Sequence, residues 1–389
     1  MRKLLKVDYD VIVVGAGPSG STAAARLAAA GLSVLILERY PLPRYKTCGG
    51  GITRRALQKM PIDISSVVRE SIDTVVAQND GEKTQIFTHK RPFMFLVMRD
   101  ELDFLLTQHA VNCGANLQTD ESVIDVTTEE DIIYVATRTK RFSCRFLLGA
   151  DGVNSLVARK TDLSLGKQKI LALEYEVKRA PTFVEKHSHS ILIDYGAVPH
   201  GYLWVFPKRD HFSIGVGSFT PNTADLQRCL KVFLSSHDLL KDVLQARGHH
   251  LSFGGAPLQI ARGGVALIGD AAGLVEPFGG EGIYYALYSG ELAAAQVIKQ
   301  TQNGTYDMQS YQDEVDRLIM PELSLLSKVN GVFYGNINFI HSLITRYPQF
   351  MYKGLEILEG EKSYSKVYPV LNRVLHVSRG IHSISHYFG

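Results

Sequence analysis

Three glycine-rich segments, far apart in the chain, carry residue types that bind a phosphorylated cofactor. They are Gly15–Gly20 (GAGPSG), Ala150–Gly152 (ADG) and Ile268–Asp270 (IGD). Because glycine has no side chain, the backbone N–H groups of such loops approach phosphate oxygens closely. Glu38 follows the first segment near the spacing of a carboxylate that accepts hydrogen bonds from a ribose. In this order, the three segments predict an FAD site and therefore redox chemistry.

A strand, a helix and a second strand must position the first segment. Asp10–Val14 is an apolar, β-branched run, typical of a parallel strand buried on both faces. Pro18 then begins a helix, where its missing N–H costs little. Leu32–Leu37 is predicted to form the second strand, which ends at Glu38. The tight turn, the approach of the pyrophosphate and the packing of the helix need glycine at three positions, Gly15, Gly17 and Gly20.

The other two segments are predicted to add further contacts to the cofactor. Asp151 and Gly152 follow a predicted strand, and Arg159 could offset phosphate charge. Asp270 precedes a glycine-rich loop and a helix that is predicted to start near Ile283. The N-terminus of that helix would stabilise negative charge on a reduced isoalloxazine ring, while Asp270 could instead hydrogen-bond ribityl or ribose hydroxyls.

Composition excludes several classes of protein. The chain has 389 residues, 45% of them hydrophobic, and a net charge of +3, which is too balanced to indicate a nucleic-acid partner. Its four cysteines form no CxxC pair and no zinc-ligand spacing, so we expect free thiols and no metal site. No run approaches the ~20 apolar residues of a membrane span. We expect a cytoplasmic protein, with or without contact to a membrane surface.

The hydrophobic pattern predicts an α/β protein that is α+β overall. A Rossmann-like FAD-binding domain (1–70, 99–165 and 261–300) is interrupted by an antiparallel-sheet substrate domain (71–98 and 166–260). Within the first of these, Arg99–Gly114 reads as a helix with Asp100 as its N-cap. A mainly helical C-terminal region (301–389) follows. From Gly331 onward it holds six Lys/Arg and three Glu, a basic end that could serve a diphosphate head group, a membrane or simply solvent.

Two further segments resemble a known family. Pro199–Pro207 (PHGYLWVFP) followed by Gly215–Gly217 (GVG) matches the PxxYxWxFP…GxG signature of the geranylgeranyl reductase family. Pro43–Gly51 (PRYKTCGGG) resembles that family's cysteine–glycine loop. With the flavin segments, the resemblance covers roughly residues 8–300 and places the chain in the flavoprotein superfamily with the hydroxybenzoate-hydroxylase architecture.

The resemblance implies an FAD-dependent reductase that saturates isolated double bonds of a geranylgeranyl or other polyprenyl chain. Hydride would come from flavin N5, and a proton would come from Cys48, Tyr202 or His200, with Trp204 beside them in the catalytic site. The predicted substrate contacts are Tyr202, Trp204, Phe206 and Phe278. The predicted cofactor contacts are Gly15, Gly17, Pro18, Ser19, Gly20, Glu38, Arg39, Cys48, Gly49, Gly50, Arg99, Val123, Asp151, Gly152, Asp270, Gly280, Gly282 and Ile283.

Alternatives stay open for several of these residues. On periodicity alone, Tyr202, Trp204 and Phe206 are typical of a core strand rather than a substrate wall. Cys48 reads equally as a small buried hydrophobe, and Arg99 as a solvated residue at a helix start. The electron donor is NADPH or a reduced ferredoxin, because no second nucleotide-binding unit is visible.

Two other functions fit the same scaffold. One is an aromatic or lipid monooxygenase, although the WxWxIP run of flavin halogenases is absent. The other is a flavin- and lipid-binding electron-relay protein without turnover. The identity of the prenyl substrate and the oligomeric state are not encoded in any recognisable pattern.

Overall fold

A computed structural model describes residues 6–164, 166–179, 189–219, 223–253, 258–361 and 364. The helices are α1 (Pro18–Ala29), α2 (Arg54–Leu57), α3 (Arg99–Asn112), α4 (Leu156–Lys160), α5 (Thr223–Ser236), α6 (Ile283–Gln302), α7 (Gln309–Leu318), α8 (Met320–Gly335), α9 (Ile337–Arg346) and α10 (Gln349–Leu358). The strands are β1 (Tyr9–Val14), β2 (Val34–Leu37), β3 (Gly51–Thr53), β4 (Val68–Ile72), β5 (Thr74–Asn79), β6 (Glu82–Thr88), β7 (Met94–Val97), β8 (Asn116–Gln118), β9 (Val123–Glu129), β10 (Ile132–Thr137), β11 (Arg141–Gly149), β12 (Gln168–Lys178), β13 (Ser190–Asp194), β14 (Gly201–Pro207), β15 (His211–Ser218), β16 (Val243–Phe253), β17 (Ala261–Arg262) and β18 (Val265–Leu267).

The first sheet has eight strands and a parallel centre. Its main order is β17-β18-β11-β1-β2-β8, and the antiparallel pair β10 and β9 joins at β11. Val11, Ile12 and Val13 on β1 have no exposed surface, which confirms the predicted two-sided strand. The second strand begins at Val34, later than predicted, because Ser33 still belongs to the turn before it. The backbone N–H and the hydroxyl of Ser33 both donate hydrogen bonds to the carboxylate of Asp10 on β1.

Helices cover this sheet and approach one another closely. Helix α1 packs against α3 and α6, with Ser21 Oγ 3.0 Å from Thr107 Oγ1. A Cβ at Gly290 on α6 would lie 2.4 Å from the Ser19 carbonyl oxygen, so only glycine permits this crossing. The predicted Asp100 N-cap is wrong, because α3 already begins at Arg99 with Met98 as its N-cap.

The second sheet has seven strands in the order β16-β12-β15-β14-β13-β5-β6. It is antiparallel, as predicted, except between β13 and β5, which pair in parallel. Helix α5 covers one face with Leu226, Leu230 and Leu234, which pack among the apolar side chains of β12, β14 and β15. The opposite face is therefore free to line a cavity.

A small third sheet differs from the sequence-based prediction. Residues 71–98 are predicted to belong to the substrate domain, but their strands divide between two sheets. Strand β7 pairs with β3 and β4 rather than with the second sheet, and Asp73 separates β4 from β5. This three-stranded sheet carries the end of the cysteine–glycine loop, since β3 begins at Gly51.

The C-terminal helices close the molecule over the second sheet. Phe333 on α8, Ile340 and Ile344 on α9 and Leu355 on α10 pack around Tyr195 at the end of β13. The predicted helical character is confirmed to Leu358, and most of the basic end beyond it lies outside the described residues. None of the helices in the described ranges is long and apolar enough to cross a bilayer.

Candidate functional site

One long cavity of about 1030 Å³ is lined by residues of both large sheets. One end is formed by the loops that follow β1, β2 and β11 at their carboxyl ends. The cavity then passes the cysteine–glycine loop and the aromatic strand β14. Its far end lies between β5, β13 and the helices α8, α9 and α10.

The glycine-rich turn after β1 has a conformation that requires glycine. Gly15 has φ +107°, and a Cβ there would lie 2.4 Å from the Ala150 carbonyl oxygen. Gly17 is the N-cap of α1, and Pro18 begins the helix without any side-chain cap. The free N–H groups of this helix start line the cavity beside Ser19, which makes this end suited to a phosphate.

Glu38 lies beside this turn and is held in a fixed position. Its Oε2 accepts a hydrogen bond from the Ala16 N–H at 2.9 Å, and Arg44 Nε lies 3.4 Å from Oε1. Arg44 also binds Asp103, which forms a second ion pair with Arg99. The carboxylate is therefore fixed at the carboxyl end of β2, and both arginines line the same end of the cavity.

The two carboxylate oxygens of Asp151 differ in their hydrogen bonds. Its Oδ2 accepts from the N–H groups of Leu156 and Val157 at the start of α4, at 2.6 and 3.1 Å. Its Oδ1 is buried and has no hydrogen-bond partner among the described residues, and Asp151 is one of the residues that line the cavity. An unpaired buried oxygen calls for a donor such as a hydroxyl. The glycine cradle and this oxygen together fit FAD. Arg159 lines the same wall but donates to the Asn154 and Ser155 carbonyls.

Positive charge extends along the cavity wall at Lys46. Its Nζ lies 3.2 Å from His249 Nε2, and both residues line the cavity. Burial lowers the pKa of Lys46, with Arg99 adding to the effect. Burial and the Lys46 charge lower the pKa of His249 to about 3, so this imidazole is neutral. An anionic ligand would be stabilised here.

The loop before α6 is organised by Glu276, which the sequence-based reasoning missed. Glu276 accepts hydrogen bonds from the N–H groups of Phe278, Gly279 and Glu281, at 2.7, 2.5 and 3.2 Å. Burial, and then the neighbouring Glu281, raise the pKa of Glu276 to about 7. Tyr202 donates to the Gly279 carbonyl at 2.5 Å and so ties the loop to β14. The predicted helix start at Ile283 is confirmed.

Arg55 anchors the same loop from the opposite side. Its guanidinium contacts Glu281 and donates to Glu322 on α8 at 2.7 Å. Burial lowers the pKa of Arg55, but Glu281 and Glu322 more than reverse this and raise it. Tyr285 donates to Glu322 at 2.8 Å. A buried charge network therefore joins α2, the loop before α6 and α8. Among the residues of this network, only Glu281 lies in a segment that the sequence analysis identified, the glycine-rich loop after Asp270.

The cysteine–glycine loop packs directly on the aromatic strand. A Cβ at Gly49 would lie 3.0 Å from the Phe206 ring and 3.3 Å from Trp204 Nε1. Lys208 Nζ donates to the carbonyls of Gly49 and Val97, at 2.5 and 2.9 Å. Burial lowers the pKa of Lys208 to about 8. Lys208 thus fixes Cys48 and its neighbours against the cavity.

The aromatic side chains of β14 share one face, as predicted. The ring centroids of Tyr202 and Trp204 are 6.0 Å apart, and those of Trp204 and Phe206 are 6.4 Å apart. Gly215 pairs with Trp204 on the neighbouring strand, and a Cβ there would lie 2.0 Å from the indole ring. The absence of a side chain at Gly215 leaves room for the indole. All three rings border the cavity.

All but two of the residues predicted to bind the cofactor or substrate, or to catalyse, line this cavity. Gly20 lies behind the wall, where a Cβ would fall 2.0 Å from the Gly15 carbonyl oxygen. His200 is exposed and has φ +48° in the turn before β14, so the structure does not bring it to the cavity.

Comparison with known proteins agrees with this geometry. Residues 8–300 match the family described as FAD binding domain. A geranylgeranyl diphosphate reductase of Rhodobacter capsulatus is 31% identical over 308 residues, which is 76% of each chain. The solved structure of a geranylgeranyl bacteriochlorophyll reductase-like protein from Thermoplasma acidophilum superposes with a TM-score of 0.76 at 26% identity, covering 84% of this chain and 87% of that one. A flavin-dependent brominase at 18% identity and TM-score 0.73 covers 96% and 99% and shares the fold.

Proposed function

The chain belongs to the FAD binding domain family and, within it, to the geranylgeranyl reductase family of FAD-dependent oxidoreductases, and we propose that it saturates isolated double bonds of a prenyl chain. The substrate class is an isoprenoid diphosphate or a prenylated lipid. NADPH or a reduced ferredoxin would supply the electrons.

The observation that supports this proposal is the continuity of the cavity. Its cofactor end leads past Trp204 into a space lined by Ile191, Ile193, Ile340 and Ile344. An extended hydrocarbon needs such a wall, because burial stabilises it by about 25 cal/mol per Å² of apolar surface. A compact aromatic substrate would leave most of this space unfilled.

Residues of the chain would hold FAD and orient the substrate. Gly17 and Ser19 would bind the pyrophosphate, Glu38 the adenosine ribose, and Gly280 with Gly282 the ring end. Bound FAD, once reduced, supplies a hydride for one alkene carbon. The protein must align the alkene, exclude water and donate a proton to the neighbouring carbon.

Cys48 is the better placed of the two remaining candidates for proton donation. The Tyr202 hydroxyl already donates to the Gly279 carbonyl, and burial raises the pKa of Tyr202, which makes it a weaker acid. Cys48 lies in a loop packed on Trp204 and borders the cavity. We therefore assign Tyr202 to positioning the loop and Cys48 to proton donation.

The proposed function is tested by an anaerobic single turnover. The flavoprotein is reduced with dithionite and mixed with geranylgeranyl diphosphate, and absorbance near 450 nm and product mass are followed. We expect flavin reoxidation with a gain of two hydrogens per step. The fully saturated diphosphate of equal length is the matched control and should leave the flavin reduced. A flavin that stays reduced with both compounds until oxygen is admitted would support a monooxygenase instead.

Replacing Tyr202 by phenylalanine should change turnover little. The change removes one hydrogen bond to the Gly279 carbonyl, a loss of about 0.5–1.5 kcal/mol, and leaves the ring in place. We expect kcat at saturating substrate within about tenfold of wild type, since that free energy corresponds to no more than about a tenfold change in rate. A collapse of kcat with unchanged flavin content would instead make Tyr202 the proton donor.

Replacing Gly354 by leucine should shorten the apolar end of the cavity. Gly354 lines the cavity on α10, and a Cβ there meets nothing within 4 Å. The fold should not suffer, because leucine favours a helix over glycine by up to about 1 kcal/mol. We expect KM for geranylgeranyl diphosphate to rise on the order of tenfold, as the terminal isoprene loses its buried position. KM for geranyl diphosphate should stay constant.

The matched control for this change is Gly331→Leu. Gly331 lies on α8, is exposed, has the same free space and does not line the cavity. Equal KM changes in the two variants, or equal changes for long and short substrates, would place the hydrocarbon tail elsewhere.

A further inference from the structure

A second, smaller cavity lies behind the cysteine–glycine loop. It has a volume of about 10 Å³ and is bordered by Cys48, Glu174, Lys208, His211 and Ser213. This volume is close to the ~10–15 Å³ that a single buried water occupies. Its lining is polar, so it offers the two to four partners that a buried water requires.

Two residues that border this cavity each carry a buried polar atom without a hydrogen-bond partner. The atoms are Glu174 Oε2 and His211 Nε2, and neither has a partner among the described residues. Glu174 is 3% exposed and His211 is 7% exposed. Buried polar atoms without a partner are rare in folded proteins, so two of them on residues that share one water-sized space call for an explanation.

Glu174 connects this small cavity to the main one, because it borders both. Its Oε1 accepts a hydrogen bond from Ser213 Oγ at 2.6 Å, and Ser213 accepts from Trp204 Nε1 at 3.1 Å. Oε1 is thus occupied, and Oε2 is the atom that can carry a proton. Burial raises the pKa of Glu174, although Ser213 and Lys208 oppose this effect.

His211 connects the small cavity to solvent. Its Nδ1 lies 2.8 Å from Asp210 Oδ1, and the Asp210 side chain is 85% exposed. The other ring nitrogen, Nε2, is buried and has no hydrogen-bond partner among the described residues. Because an imidazole can bind a proton at one nitrogen while releasing one from the other, His211 spans the wall between water and the interior.

We propose that His211 and Glu174, joined by one water in the small cavity, form a relay that carries protons from solvent to Cys48. The proposal rests on the proposed reductase function, because saturation of an alkene consumes one proton per double bond. After Cys48 has donated its proton to the alkene, the Cys48 thiolate takes the Oε2 proton of Glu174, and Glu174 regains a proton from His211 through the water. His211 is reprotonated from solvent at Asp210. Only protons move, so each one consumed is balanced by one from solvent.

Other charged groups around Glu174 set the pH range of this relay. The basic groups that face the small cavity are Lys46, Arg99 and Lys208, and the acidic groups are Asp100 and Glu176; burial raises the pKa of Tyr45, so its phenol stays neutral. The cations favour the ionised carboxylate, whereas burial and the acidic groups favour the protonated form. Because Glu174 must be protonated to donate, the rate of the proton step should fall as pH rises.

The relay is tested with Glu174→Gln and His211→Gln in the full-length flavoprotein. Pre-reduced enzyme is mixed anaerobically with geranylgeranyl diphosphate in H₂O and in D₂O over a range of pH. Glutamine keeps the hydrogen bond to Ser213 but carries no acidic proton. We expect product formation to fall on the order of 100-fold in Glu174→Gln, the usual range for loss of a general acid. In His211→Gln we expect a smaller fall and a shifted pH profile.

His250→Gln is the matched control, since His250 is exposed on β16 of the same sheet and borders neither cavity. Unchanged rates, pH profiles and solvent isotope effects in both relay variants would overturn the proposal.

A second readout does not depend on the substrate. Infrared spectra of the wild-type protein should contain a Glu174 carboxyl band that shifts in D₂O and is absent in Glu174→Gln; subtracting the two spectra cancels the band of Glu276, whose pKa is also raised. If wild type lacks this band, the relay is wrong whatever the activity. If wild type shows the band but never reoxidises with geranylgeranyl diphosphate, the proposed function fails and the protonated Glu174 stands.

Discussion

Replacing Gly15 by alanine is expected to destabilise the protein by roughly 2–5 kcal/mol and to abolish flavin retention. The new Cβ would lie 2.4 Å from the Ala150 carbonyl oxygen, and φ +107° is unfavourable for alanine. Two β-strand ends would have to separate, since Ala150 follows β11 and Gly15 follows β1. Urea unfolding monitored by circular dichroism gives the stability change, and absorbance at 450 nm gives the flavin content.

Gly31→Ala is the matched control for that substitution. Gly31 also has positive φ, at +84°, but a Cβ there meets nothing within 4 Å. Gly31→Ala should lower the free energy of unfolding by only about 1 kcal/mol, because of the backbone conformation, and should leave the flavin content unchanged. Similar losses in the two variants would mean that backbone conformation, rather than the close approach to Ala150, explains Gly15.

Replacing Arg55 by glutamine should destabilise the protein by about 3–5 kcal/mol, because it leaves Glu281 and Glu322 buried without their counter-charge. The side chain of Arg55 is only 8% exposed and that of Glu281 only 10%. Since Glu281 lies in the loop before α6, we also expect weaker flavin binding. Urea unfolding and flavin titration of the apoprotein measure the two effects separately.

Arg26→Gln provides the comparison at the protein surface. Arg26 pairs with Glu291 at 2.6 Å, but its side chain is 48% exposed, so the pair contributes no more than about 1 kcal/mol. If Arg55→Gln lowers the free energy of unfolding no more than Arg26→Gln does, water reaches the Arg55 network and its charges are not buried.

Local patterns predicted those parts of the fold that local chemistry determines. The apolar run Asp10–Val14 is typical of a strand buried on both faces, and in the structure it lies within β1. The alternation of Tyr202, Trp204 and Phe206 likewise placed three rings on one face. Gly282 was a correct sign of the start of α6, because a helix often begins where a glycine-rich loop ends.

Features that depend on distant contacts were not predictable in the same way. Phe93–Val97 reads as a strand, but nothing in its own residues selects β3 and β4 as partners over the substrate sheet. Lys208 follows a strand and looks like a solvated turn residue until the fold places it under the Gly49 and Val97 carbonyls. Arg55 gained its role from Glu281 and Glu322, which are more than 200 positions away.

The contact between Trp204 and Gly215 also constrains how this sequence can diverge. A Cβ at residue 215 would overlap the indole, so any larger side chain there must displace it. Gly215→Ala in the present background would be selected against, whereas the same change after Trp204→Leu would no longer overlap an indole ring. Lineages that remodel this wall therefore have to pass through a smaller residue at position 204 first. The order of the two substitutions, and not only their sum, determines which pocket shapes evolution can reach from this one.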